Sequence, residues 1–134
     1  MSIAFRITLQ PETSYASLWD DAWQTKDQQA QQAYQDERYF SAASLFEHNQ
    51  WQGSAHYKAG NYEQALASFE QDNSATGLYN QGNTLAKMQQ YQQAINAYEK
   101  ALAKNPNLQD AKDNLEKIKQ LQQQQQQKQE QQEE

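Results

Sequence analysis

The two histidines of the chain are its main candidates for catalysis or metal binding. His48 and His56 fall at the end and the start of different predicted helices, and no carboxylate stands at metal-ligand spacing beside both. The G-x-S-x-G motif of hydrolases and the glycine-rich phosphate loops are absent from the sequence. His56 is better explained as a packed residue of its helix. We therefore predict no enzyme activity, no metal site and no cofactor.

The acidic residues are predicted to be solvated charge. Asp20 and Asp21 form one short cluster, and the glutamates of residues 130–134 form another. The chain has 17 acidic and 11 basic residues and a net charge of -6, which argues against nucleic acid or an anionic membrane as the main partner. The absence of cysteine excludes disulfides, thiol catalysis and cysteine-ligated zinc.

Neither a membrane span nor a secretory signal is visible in the sequence. No apolar run approaches the roughly 20 residues that cross a bilayer. The first residues, MSIAFRITLQPETS, lack the apolar core and cleavage site of a signal peptide. We therefore expect a soluble chain without a targeting segment, which leaves open that it is part of a longer protein.

Three segments repeat one spacing of large and small residues. They are RYFSAASLF (38–46), NYEQALASF (61–69) and QYQQAINAY (90–98), each with Tyr second, Ala fifth and an aromatic residue ninth. The alanines are 23 and 29 residues apart, and a further helical segment precedes each of the three. Such periods are typical of helical repeats. The sequence predicts an all-α fold in which antiparallel helix-turn-helix units form a superhelical stack.

Small residues recur where the paired helices must approach each other closely. These repeat positions are Ala30, Ala42, Gly53, Ala65, Gly82 and Ala94. Gly60 stands where a tight turn between helices uses a positive φ angle. Pro106 stands where the last repeat helix must end. No such unit buries its apolar face alone, so neighbouring units must stack.

Four regions follow from these patterns. Residues 1–24 are predicted to be an N-terminal arm and a short helix. Residues 25–106 are predicted to form about three repeats. The first helix of these repeats begins at the capping box of Thr25 and Gln28. Residues 107–121 have apolar residues at 3–4 spacing and are predicted to be a capping helix. Residues 122–134 are predicted to be a frayed, disordered Gln/Glu-rich tail, which we favour over the alternative of a β-aggregating glutamine segment.

The layout resembles the tetratricopeptide repeat (TPR), most clearly over residues 75–108. The residues at that family's large, small and proline positions are Leu78, Gly82, Leu85, Tyr91, Ala94, Tyr98, Ala101 and Pro106. Gln81 departs from the pattern, at a usually apolar place. The two earlier units are 11 and 5 residues shorter than the family's length of about 34. We therefore expect clipped helices and connections there.

The TPR resemblance implies a scaffold that binds a protein or peptide in a concave groove. The positions of this chain that match the family's ligand-facing places are Gln31, Tyr34, Ser54, Tyr57, Lys58, Tyr79, Asn83 and Lys87. Asparagine amides suit a peptide backbone, and lysines suit a carboxylate on the ligand. The alternative is that Tyr34 and Tyr57 only pack between helices, and that Lys58 and Lys87 are only solvated.

A narrower resemblance covers about residues 18–127. The order of segments looks like the C-terminal region of bacterial Bat-type (aerotolerance-operon) proteins, which join a von Willebrand factor type A domain to TPRs. It implies a membrane-anchored parent, a periplasmic location and partners with type A domains; otherwise the chain is expected in the cytoplasm. The D-x-S-x-S metal motif of the type A domain is absent here, so no metal site is carried over.

Self-association, or docking onto a missing type A domain, is the alternative function. Its candidate contacts are the amphipathic helix of residues 108–121 and the tryptophans, since Trp is common at interface hot spots. We expect Trp51 to fill the shortened junction between the first two units. For Trp19 and Trp23, a core role and an interface role both stay open.

Overall fold

The computed structural model describes residues 24–133, which form seven α-helices and no strand. The helices are α1 (Lys26–Gln35), α2 (Tyr39–Leu45), α3 (Asn49–Lys58), α4 (Tyr62–Phe69), α5 (Ala75–Lys87), α6 (Tyr91–Lys104) and α7 (Gln109–Glu133). Each helix packs against the next along the chain, and α7 also touches α5. The predicted all-α stack of helix-turn-helix units is confirmed. The predictions for residues 1–23, including Trp19 and Trp23, lie outside the described residues.

The turn inside each helix pair has the same geometry three times. Its central residue has a positive φ of 60° at Glu37, 81° at Gly60 and 59° at Gln89. The next backbone N–H donates to a carbonyl five residues back: Arg38 to Ala33 (2.8 Å), Asn61 to His56 (2.9 Å) and Gln90 to Leu85 (2.9 Å). These are Schellman motifs, which satisfy the carbonyl groups left unpaired at a helix C-terminus. Two of the three turns use a residue other than glycine.

Two glycines allow close contact between paired helices. A Cβ atom built on Gly53 would lie 2.6 Å from the ring of Phe69, and one on Gly82 would lie 2.6 Å from the ring of Tyr98. The aromatic residue at the ninth place of the repeated segment, which lies on the second helix of the pair, thus sits directly on the glycine of the first helix. The small repeat positions are all buried, namely Ala30, Ala42, Gly53, Ala65, Gly82 and Ala94, whereas Pro106 is exposed in the turn after α6.

The first two helix pairs are shorter than the third. The second helix of each pair has seven residues in α2, eight in α4 and fourteen in α6. The buried core between α1, α2 and α3 consists of alanines around Phe46. The core between α5, α6 and α7 is larger and is centred on Tyr98, which is 1% exposed. Because aromatic and aliphatic side chains bury more area than alanine, the third pair and α7 have the stronger core.

Trp51 covers the junction between the first two units but does not fill it. Its ring stacks on Phe46, with 5.8 Å between centroids and 23° between planes, yet the residue is 50% exposed. The expectation that Trp51 fills the shortened junction is therefore only partly met. The short α2 brings Phe46 to the junction, so that Phe46 takes the buried place and Trp51 lies over it.

A polar network joins the second unit to the third. The Gln81 side-chain amide donates to the backbone carbonyls of Phe69 (3.0 Å) and Asp72 (3.3 Å). This explains the departure of Gln81 from the family pattern, because an apolar residue there would leave the Asp72 carbonyl without its donor. The Phe69 carbonyl would keep its bond from the Asp72 backbone N–H, at 3.0 Å. The pKa of Asp72 is lower than its usual value, chiefly because its carboxylate accepts a hydrogen bond from Gln50 and, to a smaller extent, because it accepts from Ser74.

Helix α7 is longer than predicted. Its first part packs through Ala111 and Ile118, which are buried, and through Leu115 and Leu121. The helix then continues to Glu133, where the sequence led us to expect disorder from residue 122. The packed part supplies the nucleus, and propagation beyond it is favourable because Gln, Lys and Glu are good helix formers.

Candidate binding groove

Two adjoining cavities lie along the first helices of the units. The small compartment, of about 140 Å³, is lined by Tyr34, Ser54, Tyr57, Lys58, Phe69, Asn80 and Asn83. The large compartment, of about 370 Å³, is lined by Tyr57, Asn83, Ala86, Lys87, Tyr98, Asn114, Lys117, Ile118 and Leu121. Tyr57 and Asn83 line both, so the two compartments adjoin, and together they are called the groove below.

Six of the eight predicted ligand-facing residues line this groove. They are Tyr34, Ser54, Tyr57, Lys58, Asn83 and Lys87. Gln31 is exposed on α1 and lines neither compartment. Tyr79 also lines neither, because its ring packs 6.1 Å from that of Tyr98 in the core between α5 and α6. That the groove binds a ligand stays a prediction.

Two groove tyrosines also pack between helices. The Tyr34 ring meets Tyr39 edge-on at 5.1 Å, and the Tyr57 ring meets Tyr62 edge-on at 5.6 Å. Each ring therefore packs between helices and also lines the groove; contact of either ring with a ligand stays a prediction. Burial, with smaller effects of Tyr62 and Tyr79, raises the pKa of Tyr57. Its phenol is thus protonated at neutral pH and can donate a hydrogen bond.

Asn83 is the centre of a hydrogen-bond network under the groove. Its Oδ1 accepts from the Tyr98 hydroxyl at 2.6 Å and from Asn114 Nδ2 at 2.9 Å. Asn114 Nδ2 also lies 3.4 Å from the Tyr79 hydroxyl. The network ties α5 to α6 and α7. Because its carbonyl oxygen is engaged inside the protein, Asn83 offers the groove its NH₂ group, a donor.

The charged residues that line the groove are all positive. Lys58, Lys87 and Lys117 line it, and no carboxylate of the described residues does. Between residues 24 and 133, the ion pairs are Arg38–Asp36 and Lys119–Glu99, so none of the three groove lysines is paired. In a chain of net charge -6, this local excess of positive charge favours an anionic group on a ligand.

The C-terminal helix supplies a wall of the groove that the sequence reasoning missed. Asn114, Lys117, Ile118 and Leu121 of α7 all line the large compartment. A signal was present, because spacings of three, four and seven residues place these side chains on one helix face. From the sequence, this face was predicted only to cap the stack. A polar residue and a lysine among apolar positions are expected at the edge of a capping face as much as in a binding groove.

The described residues provide no site for a metal. Residues 24–133 contain no group of three or more His, Asp or Glu side chains placed to hold an ion. His56 is half-buried and packed in α3; its Nδ1 has no hydrogen-bond partner, and burial lowers its pKa. Over the same range, no helix combines the length and the apolarity needed to cross a membrane.

Comparison with known proteins supports the TPR resemblance. Residues 75–108 match the model of the tetratricopeptide repeat family. The fold is similar to a solved structure, the first TPR of Spaghetti (RPAP3) bound to the HSP90 peptide SRMEEVD, with a TM-score of 0.64. The identity is 16%, over 72% of this chain and 89% of that one, so the likeness concerns the fold. No curated protein matches the chain, and neither finding bears on the Bat-type resemblance.

Proposed function

We propose that this chain is a protein-interaction scaffold, without enzyme activity, that binds an extended peptide segment of a partner protein in the groove. The observation that carries the proposal is the groove itself. Within the described part of the chain, residues of six helices from α1 to α7 line its two adjoining compartments, which hold three unpaired lysines and no carboxylate. The similar solved structure has a peptide bound, which supports a peptide as the class of ligand.

The aromatic and the polar residues of the groove would bind different parts of a peptide. In the small compartment, the rings of Tyr34, Tyr57 and Phe69 supply apolar area for a side chain. Asn80 and Asn83 supply amides, which can bond to the backbone groups of an extended chain. Such a mixture of aromatic surface and a few fixed polar groups is typical of ligand sites.

A peptide selection tests the proposal. A displayed library of random heptapeptides is panned on the purified chain. The affinities of the selected peptides, and of labelled SRMEEVD as a defined probe, are then measured by fluorescence anisotropy. We expect Tyr57→Ala combined with Lys58→Ala to weaken binding about 10-fold or more, since an aromatic contact and a charged hydrogen bond are lost.

The matched control is Lys112→Ala, which removes an exposed lysine of α7 that does not line the groove. Thermal unfolding of each variant shows that the fold is intact. Enriched peptides that bind the Tyr57→Ala, Lys58→Ala variant as tightly as the parent would place binding elsewhere, and failure to enrich any peptide would refute the groove as a peptide site.

Self-association, or docking onto a missing type A domain, is the second candidate function. It is favoured by two exposed aromatic residues, Phe40 at 72% and Trp51 at 50% exposure, because aromatic residues are enriched in protein–protein interfaces. Light scattering over a range of concentrations tests self-association. A dimer that is lost on Trp51→Ser supports it, and a strict monomer refutes it.

We propose the setting from the Bat-type resemblance alone. The chain would then act in a bacterial envelope complex for stress tolerance, on the periplasmic side of a membrane-anchored parent with type A domain partners. The parent reading frame tests this: an upstream type A domain flanked by membrane spans is the expected result, and a free-standing cytoplasmic frame is the contrary one.

A further inference from the structure

We infer that two copies of this chain associate by inserting Trp19 and Trp23 of one copy into cavities along α5 and α6 of the other. The inference rests on self-association, the second candidate function, and adds to it which surfaces of the two copies meet. It does not depend on peptide binding in the groove.

Two adjoining cavities, called the α5–α6 cavities below, lie on the face of α5 opposite to the groove. Their volumes are about 220 and 420 Å³, and Leu78 and Lys100 line both of them. Leu85 lines the smaller one and stands two residues before Lys87 of the groove. Because two residues turn a helix by about 200°, the two sites use opposite sides of α5. No residue lines both the groove and an α5–α6 cavity.

The α5–α6 cavities coincide with positions at which this chain departs from the TPR pattern. That pattern has Trp four residues before its first glycine, Leu directly before the glycine, and Tyr three residues after it. Counted from Gly82, the residues of this chain at these places are Leu78, Gln81 and Leu85. All three line the cavities. Since Leu is smaller than Trp or Tyr, space is left here that aromatic side chains from another molecule can fill.

The charged residues that line these cavities are both positive. Lys100 and Lys104 stand one turn apart on α6, and neither forms an ion pair within residues 24–133. No carboxylate of the described residues lines the cavities. Gln81 uses its NH₂ group on two backbone carbonyls, so its oxygen remains to accept from an indole N–H. The cavities therefore suit a partner that carries tryptophan beside carboxylates.

The chain itself contains a segment of this chemistry. Residues 18–23 are LWDDAW, in which Asp20 and Asp21 stand between Trp19 and Trp23. The segment brings two large aromatic side chains to cavities that lie where the repeat pattern has Trp and Tyr. Its two carboxylates match the two lysines in number and are opposite to them in charge.

The segment has to come from a second copy, because it is too close to α1 to enter the cavities of its own chain. Two residues separate Trp23 from Lys26, the first residue of α1, so the backbone between them spans about 11 Å at most. Packed helices are about 8–10 Å apart. As α5 begins the third unit, it is about 16–20 Å from α1, and α6 lies beyond it.

Analytical ultracentrifugation of the full chain over a range of concentrations tests the inference. Lys100→Glu with Lys104→Glu reverses the charge of the cavities, and Asp20→Lys with Asp21→Lys reverses that of the segment. We expect either double variant to associate about 10-fold or more weakly than the parent, because like charges then face each other. The matched control is Lys112→Glu with Lys128→Glu, two exposed lysines of α7 that line neither cavity, and it should associate like the parent.

An equimolar mixture of the two charge-reversal variants makes the test specific. In the mixture, the reversed segment of one variant meets the reversed cavities of the other, and the unchanged segment meets the unchanged cavities. Association should therefore return to about the level of the parent, although each variant alone associates weakly. Circular dichroism of each variant shows that the fold is intact. Trp19→Ser with Trp23→Ser should also weaken association about 10-fold or more, the size of a tryptophan hot spot.

The outcomes separate this inference from self-association as such. Association that survives both charge reversals but is lost on Trp51→Ser would overturn the inference and leave self-association standing. A mixture that associates no better than its two components would overturn it as well. A parent chain that stays monomeric at every concentration would refute both, and peptide binding in the groove would be untouched.

Discussion

The replacement Gly82→Ala tests whether the contact between helices α5 and α6 sets the shape of the third unit. The added Cβ would lie 2.6 Å and 2.7 Å from two ring carbons of Tyr98, well inside van der Waals distance. Tyr98 is 1% exposed and its hydroxyl donates to Asn83 at 2.6 Å. The ring therefore has to move within a filled core, and its movement disturbs the network under the groove.

The expected loss of stability is the balance of three effects. Overpacking of a filled core costs about 1–3 kcal/mol, and loss of the Tyr98 hydrogen bond costs about 1 kcal/mol. Alanine in place of glycine inside a helix regains about 1 kcal/mol. The net result is a destabilisation of about 1–3 kcal/mol, or a fall in Tm of about 4–12 °C.

The matched change Gly53→Ala isolates the hydrogen bond. Its Cβ would meet the Phe69 ring at the same 2.6 Å and 2.7 Å, but Phe69 has no hydroxyl to lose. We expect Gly53→Ala to cost about 1 kcal/mol less than Gly82→Ala.

Urea unfolding followed by circular dichroism measures both variants, with Tyr98→Leu as the second arm of a double-mutant cycle. If Gly82→Ala is as stable as the parent, or costs as much in the Tyr98→Leu background as in the parent, the argument from close approach is wrong.

Three further predictions concern other elements. Gly77→Ala should cost about 3 kcal/mol by urea unfolding, because its Cβ would lie 2.2 Å from the Asp72 carbonyl oxygen, a backbone atom that cannot turn aside. Thr25→Ala should cost about 1 kcal/mol, since it removes the reciprocal cap of α1, and Thr25→Ser should restore it. The pKa of His56 is lowered by burial, so its contribution to stability is complete above pH 6.5 and is lost as the pH falls through the folded-state value. Urea midpoints between pH 7 and 5 should therefore fall less for His56→Leu than for the parent, and equal slopes would contradict this.

The repeat architecture was readable from sequence because it depends on side-chain volume at regular spacing. A glycine or alanine opposite an aromatic residue, as at Gly82 and Tyr98, appears in the sequence as a regular pattern of small and large residues. Gly77 was missed since it approaches the backbone of a loop, and no periodic partner marks that contact. The turns at Glu37 and Gln89 were missed because neither residue is glycine, and the carbonyl bonds of the Schellman motif hold them at positive φ.

The candidate site was readable only in part. The first-helix positions follow from the repeat, which is why Tyr57 and Asn83 were predicted to face the groove. The network that fixes the Asn83 amide joins it to Asn114, 31 residues further along the chain, and no local pattern carries that information. The end of α7 was also misread, because high polarity indicates disorder only where no packed helix precedes it.

The unpacked end of α7 makes the helix a spacer of defined length. The side chains of residues 123–133 are exposed, and at 1.5 Å per residue this stretch extends the helix by about 16 Å. A group attached at residue 133 is therefore held at a set distance and direction from the stack. Removing seven residues of this stretch would shorten the spacer by about 10 Å and keep nearly the same facing, whereas removing five would turn the attached group by about 140°.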